Sequence, residues 1–220
     1  IDQSPRLDMS IQKNISSLAQ NIPSKVHLIA VSKTKPIAML QEAYEAGHRA
    51  FGENKVQEMV SKWEYLPKDI QWHFIGHLQK NKVKYMAAFV SLIHGVDSLS
   101  TLREIEKQAK KHQRVISCLL QAKISEEATK FGLPMIEIQK ILFSEELKKM
   151  EHVKIVGLMG MASFTDDTEQ VAKEFRSLKD FFNQTDLAVL SMGMSGDYHI
   201  AIQEGATMIR LGSSIFGARN

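Results

Sequence analysis

Two lysines follow a strand-like apolar run in the segment LIAVSKTKP, residues 28–36. The letters LIAV favour a buried strand, and Pro36 suits the first turn of a helix. A lysine amine attacks an aldehyde once it is deprotonated, and partial burial near other cations favours that form. Lys33 follows Ser32 at the strand end, whereas Lys35 already lies in the turn before the helix. The position therefore favours Lys33 over Lys35 as a nucleophilic amine.

Two short turns that contain glycine occur late in the chain, SGD at 195–197 and GSS at 212–214. Glycine lets a ligand approach the backbone closely, and the N–H groups of such turns bind phosphate. The alternative is that each glycine only permits a tight turn. If both turns follow neighbouring strands, as the order of elements below predicts, the pair favours a phosphate site.

Other catalytic motifs in the chain are incomplete. GMSGD, residues 193–197, lacks the second glycine of the G-x-S-x-G nucleophile turn. HFIGH, residues 73–77, lacks the glutamate of H-E-x-x-H, and its strand context separates the two histidines. The chain has no G-x-x-x-x-G-K-[ST] sequence. We therefore expect neither a serine hydrolase, nor a metal site, nor a P-loop.

The composition argues against several broad classes of protein. A net charge of +3 is too small to predict nucleic-acid binding. The chain contains no run of about 18 apolar residues, so we expect no membrane span. The single cysteine, Cys118, cannot form an intrachain disulfide, and its apolar neighbours favour a core position. With no signal segment at the start, these features predict a cytoplasmic protein.

The pattern of apolar runs predicts strands that alternate with helices. The strand candidates are residues 26–31, 49–53, 70–76, 91–96, 115–122, 153–161, 187–194 and a last run from residue 207. A helix over 7–19 precedes them, and Asn54 is expected to cap the helix after the second strand. Strict alternation predicts parallel strands with right-handed crossovers. Eight units predict a (β/α)8 barrel of TIM type with an extra N-terminal helix and a vestigial last helix. No linker divides the chain, so residues 1–220 are expected to form one domain.

In such a barrel the ligand lies at the C-terminal ends of the strands. The side chains expected there are Ser32, Lys33, Glu53, Asn54, His73, His77, Met159, Met161 and Arg210, with the turns at 195–197 and 212–214. Phosphate frequently binds after the seventh and eighth strands of these barrels. A lysine that faces such a site across the mouth suits a phosphorylated ligand with a carbonyl group.

Six motifs occur in order along the chain. They are AVSKTKP, FGENKVQE, WHFIGHLQKNK, GLMGM, SMGMSGDYHIAI and RLGSSIFG. Together they resemble the pyridoxal phosphate homeostasis protein family, over about residues 25–217. The resemblance implies pyridoxal 5′-phosphate (PLP) as cofactor. It also implies a single α/β barrel similar to the N-terminal domains of alanine racemase and of bacterial-type ornithine decarboxylases.

The resemblance also implies roles for individual residues. Lys33 is expected to hold PLP as a Schiff base, and Arg210 is expected to face the pyridine nitrogen. The implied phosphate cradle comprises Ser195, Gly196, Gly212 and Ser213, and the implied walls around the ring comprise Asn54, Met159 and Met161. No role follows for His73 or His77. Lys123 stands where members of the family commonly carry asparagine, which alters the polar contacts expected at that part of the rim.

Two functions are compatible with this resemblance. The first is a protein that carries PLP reversibly and supports vitamin B6 and amino-acid homeostasis, as a monomer with PLP-dependent apoenzymes as candidate partners. The second is a PLP-dependent amino-acid racemase, which needs bases on both faces of the substrate carbanion. Lys33 supplies one base, but the four tyrosines all read as helix residues and only Tyr198 lies near the mouth. An arginine at the pyridine nitrogen would also weaken the electron sink, so the carrier is favoured and no catalytic residue is assigned.

Overall fold

The fold is a barrel of eight parallel strands that follow one another around the ring in chain order. The computed structural model describes residues 10–127 and 131–218. The strands are β1 (His27–Val31), β2 (Ala50–Glu53), β3 (Gln71–Phe74), β4 (Leu92–Val96), β5 (Ile116–Ala122), β6 (Val153–Gly160), β7 (Val189–Ser191) and β8 (Met208–Leu211). The ring closes because β8 pairs with β1, with Ile29 opposite Arg210. The predicted (β/α)8 barrel of TIM type is confirmed.

Helices cover the outside of the barrel. They are α1 (Ile11–Asn21), α2 (Ile37–Glu45), α3 (Val56–Tyr65), α4 (Val83–Met86), α5 (Leu99–Lys111), α6 (Met135–Leu142), α7 (Glu145–Lys148), α8 (Thr168–Asn183), α9 (Tyr198–Gln203) and α10 (Ser213–Phe216). The last helix has only four residues, as predicted. The first and last helices meet, since the side-chain amide of Asn14 donates to the carbonyl of Ile215 at 2.8 Å.

Two predicted helix starts had different outcomes. The helix predicted over 7–19 is observed as α1, where the hydroxyl of Ser10 caps the helix by accepting the N–H of Lys13 at 3.1 Å. Residues 7–9 lie outside the described residues. The prediction that Asn54 caps α3 was wrong, because Lys55 directly precedes the first helical residue and makes no side-chain cap. Asn54 instead lines the barrel mouth described below.

The apolar core has an outer and an inner part. The outer part joins the strands to the helices and includes Phe51, Trp72 and Phe175. The inner part comes from strands that are not all neighbours, so it fills the barrel interior; its members are Ile29, Leu92, Leu119, Met159 and Met208. Cys118 is fully buried in the outer part, and burial raises the pKa of its thiol, so its predicted core position is confirmed.

The helices are those of a globular barrel. Within residues 10–127 and 131–218, none combines the length and the apolar character that crossing a bilayer requires.

Candidate functional site

Two cavities meet at the C-terminal end of the barrel, where the strand-to-helix loops gather. The first, the β7–β8 cavity, has a volume of about 250 Å³ and lies against the turns after β7 and β8. The second, the β3–β6 cavity, has a volume of about 240 Å³ and lies above the ends of β2, β3, β5 and β6. Val31, Lys33, Met194 and Arg210 line both cavities. The two spaces are therefore parts of one mouth.

All eight residues predicted for the site line this mouth. The β7–β8 cavity is lined by Ser195, Gly196, Gly212 and Ser213, the β3–β6 cavity by Asn54 and Met159, and both by Lys33 and Arg210. Lys35, the competing lysine, lines the β7–β8 cavity but not the β3–β6 cavity. The structure thus brings the residues together, while their individual roles stay predictions.

Lys33 lies in a tight turn that directly follows β1. The N–H of Lys35 donates to the carbonyl of Ser32 at 3.1 Å, which closes the turn around Lys33 and Thr34. Thr34 has a φ of 63°, a left-handed conformation that a β-branched residue rarely adopts. Ser32 is fully buried and hydrogen-bonds Glu53, whereas Lys33 lines the mouth. The two neighbouring side chains therefore lie in different surroundings, one in the interior and one at the mouth.

The turns after β7 and β8 are joined through one hydroxyl. Ser195 Oγ accepts the N–H of Gly212 at 3.3 Å and the hydroxyl of Ser214 at 3.1 Å. Among the described residues, no acceptor pairs with the amide N–H groups of Gly196 or Ser213. A Cβ atom on Gly196 would have no neighbour within 4 Å, so the space beside it is open. This arrangement suits an anion bound by backbone amides.

Arg210 brings a buried cation to both cavities. Arg210 is only 2% exposed, and its Nη2 donates to the carbonyl of Gly160 at 3.3 Å. Its Nε has no hydrogen-bond partner among the described residues. Burial lowers the pKa of its guanidinium to about 10, which still leaves it protonated at neutral pH. A buried donor without an acceptor is costly, so Arg210 is suited to a ligand atom that accepts a hydrogen bond.

The two histidines without a predicted role lie in different places. His73 is buried in the barrel, where its Nδ1 lies 2.9 Å from Nε2 of His94. His94 Nδ1 in turn lies 3.0 Å from the hydroxyl of Ser191, which joins β4 to β7 across the interior. Burial lowers the pKa of His73 to about 4 and that of His94 well below its usual value, so both rings are neutral at pH 7.

His77 lies at the rim of the mouth. Its ring stacks on Phe131, with 4.0 Å between the centroids, and its Nδ1 lies 3.8 Å from a carboxylate oxygen of Asp97. Lys123 is exposed and lines neither cavity. The Lys123 side chain therefore contributes to neither cavity lining.

Several mouth residues were missed by sequence reasoning. Gln121 is a buried polar residue within an apolar strand, and that contrast could have identified it. Gly76, at the predicted end of the third strand, also lines the β3–β6 cavity, and a Cβ there would lie 2.4 Å from the carbonyl oxygen of Asn54. Phe131 comes from a loop, and nothing in its local sequence indicates that it reaches the mouth.

Comparisons with known proteins identify the family of this chain. Residues 9–220 match the family model described as alanine racemase, N-terminal domain. A pyridoxal phosphate homeostasis protein from Aquifex aeolicus is 38% identical over 199 residues, covering 87% of this chain and 86% of the relative. Another with that name, from Vibrio alginolyticus, is 36% identical, covering 96% of this chain and 98% of the relative.

Solved structures show the same relationship. The structure of PipY from Synechococcus elongatus without PLP has a TM-score of 0.88 and 35% identity, covering 94% of this chain and 100% of PipY. The structure of PipY with PLP bound has a TM-score of 0.85 at the same identity and coverage. An alanine racemase from Clostridium difficile shares the fold with a TM-score of 0.76 at 15% identity, and this chain covers 57% of it. The chain belongs to the alanine racemase N-terminal domain family, on the branch formed by the pyridoxal phosphate homeostasis proteins.

Proposed function

We propose that this protein binds PLP reversibly through Lys33 and takes part in vitamin B6 and amino-acid homeostasis. The observation that carries the proposal is the position of Lys33, which lines both cavities of the mouth. Relatives that cover nearly the whole chain are named for PLP homeostasis, and a PipY structure contains PLP. The proposal takes residues 1–220 as one binding domain. A monomeric state, a cytoplasmic location and delivery to PLP-dependent apoenzymes belong to the same proposal.

The chemical groups of PLP match those offered by the mouth. The amides of Gly196 and Ser213 pair with no acceptor among the described residues and lie next to the Ser195 hydroxyl, so they suit its phosphate. Arg210 offers a buried donor for the pyridine nitrogen, which accepts a hydrogen bond. The remaining wall of the β3–β6 cavity is mainly apolar, with Ile75, Met159, Met161 and Phe131, and it includes the Asn54 side chain. Such a wall suits an aromatic ring held by few polar contacts.

Bound PLP supplies an aldehyde, which condenses reversibly with a primary amine. Deprotonated Lys33 provides that amine, since its Nζ adds to the carbonyl carbon and one water molecule leaves. Water or an incoming amine reverses the bond at the same carbon and frees Lys33. The turns after β7 and β8 hold the phosphate throughout, so the ligand is retained while the covalent bond exchanges.

The racemase alternative lacks support at the mouth. Tyr198, the tyrosine expected nearest the mouth, lines neither cavity. Arg210 remains protonated, so it would keep the pyridine nitrogen unprotonated and limit electron withdrawal from a substrate. We therefore propose binding and delivery of PLP, with no catalytic turnover.

The visible absorbance of purified protein, before and after borohydride, tests the proposal. We expect PLP to produce an absorbance band that borohydride removes, and peptide mapping to find the reduced pyridoxyl group on Lys33. Lys35→Ala is the matched control, because Lys35 lies two residues away and lines only one of the two cavities. A label on Lys35, or an unchanged band in Lys33→Ala, would contradict the assignment.

A further inference from the structure

A cluster of buried charged residues lies between β2 and α3, directly behind the turn that carries Lys33. We call Ser32, Glu53, Glu58 and Lys62 the buttress cluster. Lys62 Nζ lies 2.5 Å from Oε1 of Glu53 and 2.7 Å from Oε2 of Glu58. Ser32 Oγ donates to Oε1 of Glu53 at 2.8 Å. The Lys62 side chain is 5% exposed and that of Glu53 is 0% exposed, so both charges are withdrawn from water.

The buttress cluster holds the backbone on both sides of Lys33. Lys62 Nζ donates to the carbonyl of Ser32, the residue before Lys33, at 2.6 Å. Glu58 Oε2 accepts the N–H of Thr34, the residue after Lys33, at 2.7 Å. Thr34 is the residue with the unfavourable φ of 63°. A disfavoured backbone conformation persists only where its surroundings enforce it, and here Glu58 binds the amide of the residue concerned.

The same cluster adjoins the second strand of the mouth. Glu53 points outward into the cluster, whereas the next residue, Asn54, lines the β3–β6 cavity. Glu53 is the last residue of β2, and its bond to the Ser32 hydroxyl ties the end of β2 to the residue before Lys33. One group of charges thus links the end of β2 to the turn that carries Lys33.

Stability alone does not account for this cluster. Removing two charges from water is expensive, and well-packed apolar side chains of similar volume often stabilise a fold equally well or better. Oε2 of Glu53 also has no hydrogen-bond partner among the described residues. Burial raises the pKa of the Glu53 carboxyl to about 6 although Lys62 opposes the shift, which reflects the cost of its burial. The bonds to the Lys33 turn offer a reason for retaining these charges.

We propose that Glu53, Glu58 and Lys62 are positioning residues, which hold the Lys33 turn so that Nζ reaches the carbonyl carbon of an aldehyde ligand bound in the mouth. The inference rests on the proposed function. The cluster does not touch the reacting atoms: Nζ adds to the carbonyl carbon and water leaves, while Lys62 and Glu58 hold the backbone carbonyl and amide that flank Lys33. Loss of the cluster should therefore slow condensation without weakening the binding of the phosphate or the ring.

The test separates binding from condensation by using two ligands. PLP binds and condenses, whereas pyridoxine 5′-phosphate has the same ring and phosphate but an alcohol instead of the aldehyde. Stopped-flow absorbance gives the rate of condensation with PLP, and calorimetry gives the affinity for pyridoxine 5′-phosphate. Variants are Lys62→Met, Glu58→Ala and Glu58→Gln, with Lys110→Met on α5 and Glu64→Gln on α3 as exposed controls.

We expect Lys62→Met and Glu58→Ala to slow condensation by about tenfold to a hundredfold, the effect of misplacing a reacting group by a fraction of an ångström to about 1 Å. Their affinity for pyridoxine 5′-phosphate should stay within about twofold of wild type. Glu58→Gln should recover most of the rate, because its amide oxygen can still accept the N–H of Thr34. Glu58 lies at the edge of the cluster with its side chain 25% exposed, so the Glu58 pair serves even if Lys62→Met does not fold.

Wild-type condensation rates in Lys62→Met and Glu58→Ala would overturn the inference. A fall in the affinity for pyridoxine 5′-phosphate as large as the fall in the condensation rate would also overturn it. That result would mean that the cluster supports the mouth as a whole. Failure of wild-type protein to condense with PLP would instead overturn the proposed function, and the inference with it. The wild-type measurement therefore distinguishes the two failures.

Discussion

Polar groups inside the barrel form two sets that differ in how their hydrogen bonds are made. The mouth set, Lys33, Ser195, Gly196, Arg210 and Ser213, lines the two cavities, and it contains amide and guanidinium donors without acceptors in the described residues. The interior chain, His73, His94 and Ser191, lines neither cavity, and its members bond one another. Satisfied polar groups specify a fold, whereas unsatisfied donors at a cavity indicate a ligand.

This contrast separates two kinds of substitution. Changes in the mouth set should alter ligand binding more than folding, because these residues line the two cavities. Changes in the interior chain should alter the free energy of unfolding with little effect on binding. Each prediction below tests one side of that division, beginning with the largest effect.

Lys33→Ala should abolish covalent attachment of PLP, since the mouth then loses the amine that condenses. The free energy of unfolding of the unliganded protein should change by no more than about 0.5 kcal/mol, the usual range for a partly exposed side chain. Borohydride trapping followed by mass spectrometry measures the first effect, and urea unfolding measures the second. A large loss of stability would mean that Lys33 also contributes to folding, as the interior chain is expected to do.

The interior chain should make stability depend on pH. In the folded state the pKa of His73 is about 4, against 6.5 for an ordinary histidine. As pH falls from 6.5 to 4, the unfolded chain binds a proton that the folded chain does not, so stability is lost. The shift corresponds to about 3 kcal/mol from His73, at 1.36 kcal/mol per pKa unit, and His94 acts in the same direction.

The measurement compares wild type with His73→Gln from pH 4 to 7. The difference between their unfolding curves is the useful quantity, because Glu53 acts with the opposite sign. Its folded pKa is raised from 4.5 to about 6, so the folded state gains the proton first as pH falls. If the free energy of unfolding changed equally with pH in the two proteins, His73 would not be held neutral in the folded state. That result would contradict a structural role for the interior chain.

Two serines provide a matched pair across the two sets. Ser195→Ala should weaken PLP binding by about tenfold or more, because a hydrogen bond to a charged group contributes about 1.5–3 kcal/mol and 1.4 kcal/mol is a factor of ten. Ser191→Ala should instead lower the free energy of unfolding by about 1–3 kcal/mol by leaving Nδ1 of His94 without its partner. Equilibrium titration gives the PLP affinity of each variant, and urea unfolding gives the free energy of unfolding of each.

Pyridoxal without its phosphate is the control for this pair. It should bind poorly to wild type and to Ser195→Ala alike. Equal affinity of wild type for pyridoxal and PLP would exclude a phosphate site between the β7 and β8 turns.

The smallest expected effect is the conversion of amino acids by the protein with bound PLP. L-Alanine should displace Lys33 from bound PLP and shift the absorbance, because exchange needs only an accessible aldehyde. Little α-proton exchange in D₂O and negligible D-alanine should follow, since one positioned acid or base contributes about 10²- to 10⁴-fold and, among the described residues, no tyrosine lines either cavity. Racemisation at about 1 s⁻¹ or faster would support the enzyme alternative. NMR in D₂O and chiral chromatography measure both products.

Much of the fold and the outline of the mouth could be predicted from the sequence. Apolar runs alternate with helical patterns, and that order alone predicts parallel strands in a closed ring. Lys33 could be placed because it ends the first run, and Arg210 because it interrupts the last. Asn54 was misassigned as a helix cap, since a local pattern cannot tell a capping side chain from one drawn into the mouth.

The remainder depends on tertiary structure. The sequence places His73 within the third strand and His77 after it, but the register of β3 decides that His73 enters the barrel and meets His94. Lys62 reads as a solvent-exposed helix residue, yet it is buried against Glu53. Hydrophobic periodicity predicts where apolar side chains go, and it gives no signal for a charge buried beside its partner.

Closure of the ring has a consequence for the order of events during protein synthesis. The hydrogen bond between Asn14 of α1 and Ile215 of α10 joins residues 201 positions apart, and β1 pairs with β8. The mouth likewise combines Lys33, which is synthesised before β2 to β8, with Gly212 and Ser213, which are synthesised after them. Such long-range contacts form slowly and only when both segments are available. A nascent chain therefore has no complete mouth, and the cofactor can be loaded only after translation has reached the final strand.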